Sequence, residues 1–582
     1  MPLNFSNYFK KLSIVCLIVL GITNCKKEPV STEADYFDLF RTEFTGELAL
    51  ETTAYVEQFW RIAGNTGFNN SIDRVVLKLE EFGYTEESKS SQTDRFTYRI
   101  EKRPMTRPTW EPVDASLTII GDSEPLLDFS TNRNMICQYS SSTPSDGITA
   151  EIIYIESIED LQENNVEGKI VFAEMSPYRL YQPALVEGKA AGIITYTNPS
   201  YLQPEKNTTS IQFRSIPYVE DHNYWGIALS YGAKQALKMK LSEGEVSLRV
   251  NIETKIYNSE ELTVIANIKG NTLPNEGLVF SAHVQEPGAN DNASGVGAQL
   301  EIATLAAKLI KEESLESART LSFIWGDEII STRRYVQDST SNNPEIKWGI
   351  SLDMVGENTS KTGGSFLIEK MPDPSAVWTR GNDKHSEWGG RPLKLDDMTP
   401  HYLNDLIISV FQKQGEFANW DVNTNPFEGG SDHVPFLRGD IPGLLLWHFT
   451  DQFYHTDNDR IENVSKETLK NVSIGALVSA FTLVNANVKT AEGIVQLLVD
   501  KAEERLTIEY NLSKNAMLAE SSIAEELKIM NAWNDWYQKS IISVRDMSNE
   551  PSEKLYTAIN EAQKSVQQLT DELIDKLNNQ TN

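Results

Sequence analysis

Histidines and carboxylates follow short apolar segments at four places in the chain. His283 comes directly after the apolar segment 277–282, and Asp291 lies eight residues later, at the start of a helical pattern. The remaining candidates follow three later apolar segments: Asp327 and Glu328 after 320–324, Asp353 after 348–352, and His455 after 443–448. Imidazole and carboxylate side chains are ligands that suit zinc. The pattern therefore indicates a ligand site to which several segments contribute.

An alternating order of strands and helices has to position these side chains. Apolar, strand-like segments alternate with helical patterns over 257–488, which predicts an α/β fold with a mostly parallel, doubly wound sheet. Residues at the carboxyl ends of such strands meet at one edge of the sheet, where open α/β sheets bind ligands. Taken singly, His283 and Asp291 also have a purely structural interpretation, as a strand-end histidine and a helix N-cap.

The order histidine, aspartate, acidic pair, aspartate and histidine resembles that of the co-catalytic zinc peptidases of the M28 aminopeptidase family. The resemblance covers most of the chain, and it implies two zinc ions per chain. By position, Asp291 would bridge the two ions. The resemblance gives one ion the terminal ligands His283 and Asp353, and the other ion the terminal ligands Glu328 and His455.

Two positions depart from the family pattern. The general base, which takes a proton from water and later gives one to the leaving amine, falls at Asp327, where the family usually has glutamate. Because aspartate is one methylene shorter, we expect reduced or altered activity. Gln285 stands where the family usually has an aspartate that orients the first histidine, here His283. Glutamine can accept the same hydrogen bond but adds no charge, which predicts weaker metal binding at that histidine.

The segment 427–436 resembles the serine, aspartate and histidine segment that precedes the last strand in the family. Asp432 and His433 are therefore expected to shape the wall of the cleft, and neither is expected to bind metal. The alternative for this segment is a glycine turn that caps a helix.

The first 25 residues are typical of a secretory signal. Two lysines precede the apolar segment 12–22, which is too short to span a bilayer. The sequence at 22–25 resembles a bacterial lipobox with Cys25 as the lipidated residue; an ordinary secretory signal with an incidental cysteine is the alternative. The polar residues 26–40 are then expected to form a tether. The protein is expected to be exported and lipid-anchored in the cell envelope, in the periplasm or on the outer-membrane surface.

At 582 residues the chain is too long for one core, so several domains are expected. The central part changes to short strands and turns around an alanine- and glycine-rich helical segment, which is similar to a protease-associated domain; a generic small α/β insert is the alternative. The predicted division is a first part of the peptidase domain at 41–127, the insert at 128–256, a second part with the metal site at 257–488 and a helical C-terminal region at 489–582.

Composition and missing motifs exclude several other classes. The net charge of −30 argues against nucleic-acid binding, because nothing offers a surface that neutralises phosphates. Only Cys137 lies beyond the signal and lipobox, which excludes a disulfide framework and a cysteine-based metal site. The sequence contains no His-Glu-x-x-His helix motif, no Gly-x-Ser-x-Gly elbow and no phosphate-binding Gly-x-x-x-x-Gly-Lys loop.

Together with the signal-like first residues, the resemblance implies an exported, lipid-anchored zinc metallopeptidase, expected to act as an aminopeptidase on peptide or protein substrates. Two alternatives stay open. One is a non-catalytic, peptide-binding surface lipoprotein of the same fold, which the residues Asp327 and Gln285 motivate. The other is a single-zinc acyltransferase similar to glutaminyl cyclases. The sequence does not decide which terminus of a substrate is recognised, and it gives no oligomeric state.

Overall fold

The computed structural model describes residues 30–338, 343–548 and 550–579. Cys25 and the signal segment lie outside the described residues. Within the described part, two sheets and flanking helices confirm the predicted α/β class. None of the helices in these ranges combines the length and hydrophobicity that a membrane span requires.

Sixteen strands are found in the described part. They are β1 (Thr85–Glu86), β2 (Phe96–Pro104), β3 (Thr109–Ile119), β4 (Leu127–Asp128), β5 (Ile148–Ile155), β6 (Ile170–Ala173), β7 (Gly192–Thr195), β8 (Gly226–Ala228), β9 (Ser247–Tyr257), β10 (Glu260–Ile268), β11 (Leu273–His283), β12 (Arg319–Gly326), β13 (Glu345–Leu352), β14 (Ser365–Glu369), β15 (Val422–Asn425) and β16 (Gly443–Phe449).

Fifteen α-helices accompany the strands in the same ranges. They are α1 (Glu33–Glu43), α2 (Glu47–Val56), α3 (Thr66–Glu81), α4 (Asp160–Glu163), α5 (Pro177–Leu180), α6 (Tyr231–Glu243), α7 (Ala293–Lys311), α8 (Ile330–Gln337), α9 (Thr359–Thr362), α10 (Leu403–Ala418), α11 (His433–Arg438), α12 (Lys466–Val484), α13 (Val488–Leu518), α14 (Ile523–Ser543) and α15 (Glu553–Asn578).

The larger sheet has nine strands in the order β1-β2-β10-β12-β11-β13-β16-β14-β15. Its four central strands, β12, β11, β13 and β16, are mutually parallel. All eight residues of β12 are buried, as expected for a strand covered on both faces, which carries an almost continuous apolar sequence. The central strands therefore deliver their carboxyl ends to one edge of the sheet.

Helix α7 connects two of these central strands and is buried along almost its whole length. Its small residues let a neighbouring helix approach closely: a Cβ added at Gly297 would lie 2.3 Å from the carbonyl oxygen of Ala49 in α2. The N-cap of α7 is Asn292, whose side chain accepts a hydrogen bond from the N–H of Gly295 at 2.9 Å. The N-cap interpretation of Asp291 is therefore wrong, and its carboxylate is available for another role.

The smaller sheet has the order β4-β3-β9-β5-β6-β7-β8 and a hydrophobic core of its own. Strands β3 and β9 pair antiparallel from Thr109↔Tyr257 to Ile119↔Leu248, so β3, which the predicted division places before the insert, belongs to the smaller sheet. The sequence places β3 in the peptidase domain because its strand pattern does not reveal the partner, which lies more than a hundred residues away. Strands β5 to β8 run parallel to one another.

The two ends of the described chain pack against the larger sheet. Residues 33–40, predicted as part of the tether, belong to α1, because Thr32 forms a capping box with Asp35 and the buried ring of Phe40 anchors the helix. At the other end α13, α14 and α15 pack together, and Trp533 and Met547 join the same hydrophobic core as the central strands. The helical C-terminal region therefore shares the core of the larger sheet.

Candidate metal centre

The candidate ligands lie at the carboxyl edge of the four parallel strands. His283 is the last residue of β11, Glu328 follows β12 and Asp353 follows β13. His455 lies in the loop after β16, and Asp291 lies in the turn between β11 and α7. Parallel neighbours bring these five residues, spread over more than 170 positions, to one place.

One group of ligands consists of His283, Glu328 and Asp353, whose donor atoms all lie within 4.8 Å of one another. The His283 Nε2 atom is 3.2 Å from Oδ1 of Asp353. On the other side of the ring, Nδ1 lies 3.2 Å from the carbonyl oxygen of Gln285. This contact holds the imidazole by one nitrogen and directs the other nitrogen toward the carboxylates.

A second group consists of Glu286, Asp291 and His455. His455 Nε2 lies 2.9 Å from Oδ2 of Asp291 and 2.9 Å from Oε2 of Glu286. The other carboxylate oxygen of Asp291, Oδ1, lies 3.7 Å from His283 Nε2 in the first group. Asp291 therefore stands between the two groups with one oxygen toward each histidine.

The partition of the ligands differs from the one that the resemblance implies. Glu328 lies with His283 and Asp353, and the carboxylate beside His455 belongs to Glu286. Glu286 is missing from the candidates found in the sequence. Its φ of 80° lies in the left-handed region, which non-glycine residues seldom adopt. The sequence shows an acidic residue three positions after His283, but only the backbone conformation reveals that its side chain lies beside His455.

The two groups fit metal ions on three observations. The ligands are imidazole nitrogens and carboxylate oxygens, which suit zinc. The buried Oδ1 atoms of Asp291 and Asp353 accept no hydrogen bond, which would be costly without a cation. Burial and the neighbouring carboxylates Glu286 and Asp353 raise the pKa of Asp291 well above its usual value. Burial alone would lower the pKa of His283, but Asp353 and Glu328 raise it well above normal.

Other side chains hold the ligands in place. The hydroxyl of Ser431 donates to Oδ2 of Asp353 at 2.7 Å. The side chain of Gln285 contacts Glu328, with Nε2 donating to Oε2 at 3.2 Å and Oε1 accepting from the N–H of Glu328 at 2.8 Å. The predicted contact to His283 is thus made by the backbone of Gln285, and its side chain orients Glu328. Asp459 accepts from the backbone N–H of Asp291 at 2.9 Å.

Asp432 and His433 lie behind the ligands, in buried positions. Asp432 Oδ1 accepts from the backbone N–H of Ile329 at 2.6 Å, directly after Glu328. His433 Nε2 lies 2.8 Å from Oε1 of Glu369 at the end of β14. Neither residue belongs to the two ligand groups of the described chain. Asp432 therefore supports the loop that carries Glu328, and His433 joins its own segment to the end of β14.

Asp327 lies outside both ligand groups. Its N–H donates to the hydroxyl of Ser331, the second residue of α8, at 2.9 Å. Burial, followed by the charges of Glu261 and Asp432, raises the pKa of Asp327 to about 7. The side chain faces a cavity beside the metal ligands.

Two cavities meet at the ligand groups. The aromatic cavity, of about 210 Å³, contains the ligands and is walled by Trp388, Trp447 and Tyr454. The insert-side cavity, of about 330 Å³, is lined on the side of the larger sheet by Gln285, Glu286 and Asp327. Arg107, in the connection before β3, and Tyr139 and Phe213 of the insert complete its lining. Glu286 lines both cavities. The ring of Phe213 also stacks on His455, with centroids 4.5 Å apart, so the insert contributes directly to the site.

Buried imidazole and carboxylate ligands around a shared aspartate, at the carboxyl edge of a parallel sheet, define an α/β metallohydrolase. Residues 263–480 match the family model described as Peptidase family M28. The matched segment contains Glu286 and all five ligand candidates found in the sequence.

Individual relatives agree with this assignment. The chain is 26% identical over 370 residues to Aminopeptidase YwaD of Bacillus subtilis, which covers 60% of this chain and 70% of the relative. It is 23% identical over 456 residues to the Probable lipoprotein aminopeptidase LpqL of Mycobacterium tuberculosis, covering 72% and 80%. The solved structure of BSAP, a zinc aminopeptidase from Bacillus subtilis, aligns with a TM-score of 0.51 at 18% identity over 75% of this chain and 95% of that chain. At that identity the structural likeness shows the fold.

Proposed function

We propose that the protein is an exported zinc aminopeptidase that hydrolyses peptides with two metal ions. The position of Asp291 carries this proposal. Its two carboxylate oxygens lie 3.7 Å and 2.9 Å from the two histidines, each of which belongs to a different ligand group. A carboxylate in that position is what a pair of metal ions needs as a bridge.

The residues present would hold two zinc ions around Asp291. His283, Glu328 and Asp353 would bind one ion, and Glu286 and His455 would bind the other. When bound, such a pair supplies a polarised substrate carbonyl and an activated water. The family resemblance implies Glu328 as the glutamate that binds metal together with His455. Here Glu286 would take that place, and Glu328 would bind the other ion.

The chain's own residues supply orientation and proton transfer. His455 is fixed between two rings, Phe213 at 4.5 Å and Tyr454 at 3.7 Å between centroids. The side chain of Gln285 fixes Glu328, so the preceding residue, Asp327, has a defined position at the mouth of the insert-side cavity. We assign to Asp327 the transfer of a proton to the leaving amine.

Substrate and location follow from the relatives by analogy. YwaD is named an aminopeptidase and LpqL a probable lipoprotein aminopeptidase, which supports peptide substrates and a place in the cell envelope. The lipobox-like sequence ending at Cys25 supports the same location. Labelling of whole cells with a palmitate analogue tests the anchor: the native chain is labelled and Cys25→Ser is not.

The test of activity compares leucine p-nitroanilide with its N-acetylated form. We expect hydrolysis of the free-amine substrate alone, its loss with a chelator, and its recovery with zinc. Mass spectrometry of the reconstituted protein should give two zinc ions per chain. Activity that is indifferent to the chelator, or equal on the acetylated substrate, would contradict the proposal.

Peptide binding without turnover is a second candidate, favoured by the short side chain of Asp327 and its position outside the ligand groups. The native chain, Asp327→Ala and Asp327→Glu together distinguish an enzyme from a binding protein. In an active enzyme Asp327→Ala loses about a hundredfold or more in kcat, while Asp327→Glu keeps most of it. In a binding protein the native chain is inactive at any concentration, and only Asp327→Glu gains turnover.

A further inference from the structure

The insert-side cavity lies on the side of the site from which the leaving group departs. This step rests on the proposed function: a residue that protonates the leaving amine must lie within hydrogen-bond reach of it. Asp327 lines the insert-side cavity and is absent from the lining of the aromatic cavity. The residue on the leaving side of the scissile bond therefore extends into the insert-side cavity.

Three arginines line this cavity, and two of them are already engaged. Arg61 is fully buried and donates to the carbonyl oxygens of Val56, Val284 and Gly288. Arg334 forms a close ion pair with Glu261. Their charges are satisfied within the protein, so neither is available to a ligand.

Arg107 differs from the other two. Its side chain is exposed, and no ion pair between it and a carboxylate occurs within the described ranges of the chain. Its guanidinium lies 4.6 Å from the ring centroid of Tyr139, a cation–π contact that positions the group without neutralising it. In a chain with a net charge of −30, Arg107 is an available cation beside the proposed site.

Tyr139 gives this arginine a fixed platform. The tyrosine is 7% exposed, and its φ of 64° is left-handed, a conformation that is costly for a non-glycine residue. The preceding residue, Gln138, is held by backbone hydrogen bonds to Arg214 and Ile216 of the insert. The insert thus supplies the ring that positions the Arg107 cation in the lining of the cavity that Asp327 also lines.

We propose that Arg107 binds a carboxylate on the leaving residue of the substrate. This carboxylate is either the free α-carboxylate of a dipeptide or the side chain of an aspartate or glutamate in that position. The cavity volume of about 330 Å³ lies at the lower end of the range of ligand pockets, about 300–1,000 Å³, which suits one or two residues. The substrate class is therefore short peptides with an anionic leaving residue.

Four substrates test the proposal: leucyl-alanine, leucyl-alanine amide, leucyl-glutamate amide and leucine p-nitroanilide. We expect Arg107→Ala to raise KM for the anionic substrates about tenfold to a hundredfold and to leave kcat largely unchanged, since the contact is made in the ground state and the transition state alike. The two uncharged substrates should be unaffected. Arg107→Lys should restore part of the loss. Arg333→Ala, on α8 but outside the cavity lining, is the matched control and should behave as the native enzyme.

The substrates separate the two sources of the carboxylate. An effect confined to leucyl-alanine assigns Arg107 to the α-carboxylate, and an effect on leucyl-glutamate amide assigns it to the acidic side chain. Equal KM values for the native enzyme and Arg107→Ala on all four substrates overturn this inference and leave the proposed function intact. A native enzyme that hydrolyses none of the four removes the proposed function and this inference with it.

Discussion

Two buried clusters of charged side chains are built in opposite ways. The metal cluster contains four carboxylates and two imidazoles: His283, Glu286, Asp291, Glu328, Asp353 and His455. The interface cluster lies where the segment after β14 meets the C-terminal helices, and consists of Lys370, Asp373, Arg380, Asp383, Arg505, Glu509 and Glu526. The first has no lysine or arginine among its members, and the second has three.

The pKa values of individual carboxylates show the effect of having or lacking a lysine or arginine partner. Burial tends to raise the pKa of Asp383, but Lys370 and Arg505 lower it below its usual value. Asp291 is buried as well, and the neighbouring carboxylates raise its pKa further. A buried carboxylate paired with lysine or arginine is compensated within the chain, whereas four carboxylates that share only two imidazoles need further cations from solution. Charge compensation, rather than burial, distinguishes the functional cluster from the structural one.

The largest expected effect comes from removing the shared ligand. Asp291→Asn should lower kcat/KM on leucine p-nitroanilide on the order of a thousandfold or more and reduce the bound zinc. In the presence of a chelator, the unfolding temperature of Asp291→Asn should not fall, because the change removes one of several neighbouring negative charges. The matched change in the interface cluster, Asp383→Asn, should lower the unfolding temperature and leave zinc content unchanged. Equal destabilisation by the two changes would remove the distinction between the clusters.

The next largest effect should follow from removing one cation of the interface cluster. Arg505→Met removes the cation shared by Asp383 and the fully buried Glu509, and leaves each with one remaining partner, Lys370 and Arg380 respectively. We expect a loss of about 3 kcal/mol in the free energy of unfolding, measured with urea, and an unchanged zinc content. Lys554→Met, which breaks an exposed pair with Glu492, is the control and should cost less than about 1 kcal/mol. If Arg505→Met also lost less than about 1 kcal/mol in the free energy of unfolding, the interface cluster would not depend on its cations for stability.

The sequence predicts the metal cluster better than the interface cluster for a physical reason. Each sequence candidate at the metal site follows a buried strand, so apolar segments and topology together bring His283 and Asp353 to one edge. Glu286 is not predicted from the sequence, because its position depends on a left-handed φ that no sequence pattern indicates. The interface pairs join positions such as Arg380 and Glu509, 129 residues apart on surfaces with no periodic signal. No local pattern could have matched these partners.

A third prediction concerns Asp405, a buried carboxylate beside the interface cluster. Burial raises the pKa of Asp405 to about 7, and its Oδ2 atom accepts no hydrogen bond. Because the pKa is higher in the folded state than in the unfolded chain, its contribution to stability is present at low pH and is lost as the pH rises to about 7. Between pH 5 and 7 the native protein should lose about 2 kcal/mol relative to Asp405→Asn.

Urea unfolding of both forms at each pH measures this difference. Asp373→Asn provides a contrast, since Asp373 is ion-paired with Lys370 at 3.0 Å and its removal should not produce the same gain at neutral pH. If the free energies of unfolding of the native protein and Asp405→Asn changed in parallel with pH, Asp405 would be charge-paired like its neighbours.

The smallest expected effect comes from a pair of buried serines that occupy equivalent places in the two clusters. Ser431 donates to Asp353 at 2.7 Å, and Ser375 accepts from Lys370 at 2.8 Å. Because a group that orients a metal ligand typically contributes tenfold to a hundredfold in affinity, Ser431→Ala should weaken zinc binding about tenfold with little change in the stability of the metal-free protein. Ser375→Ala should do the reverse, lowering the free energy of unfolding by about 1 kcal/mol with zinc affinity unchanged. Competition with a chromogenic chelator and urea unfolding measure the two quantities on the same preparations. If both serines acted on stability alone, the hydroxyl of Ser431 would be packing the loop and not orienting a ligand.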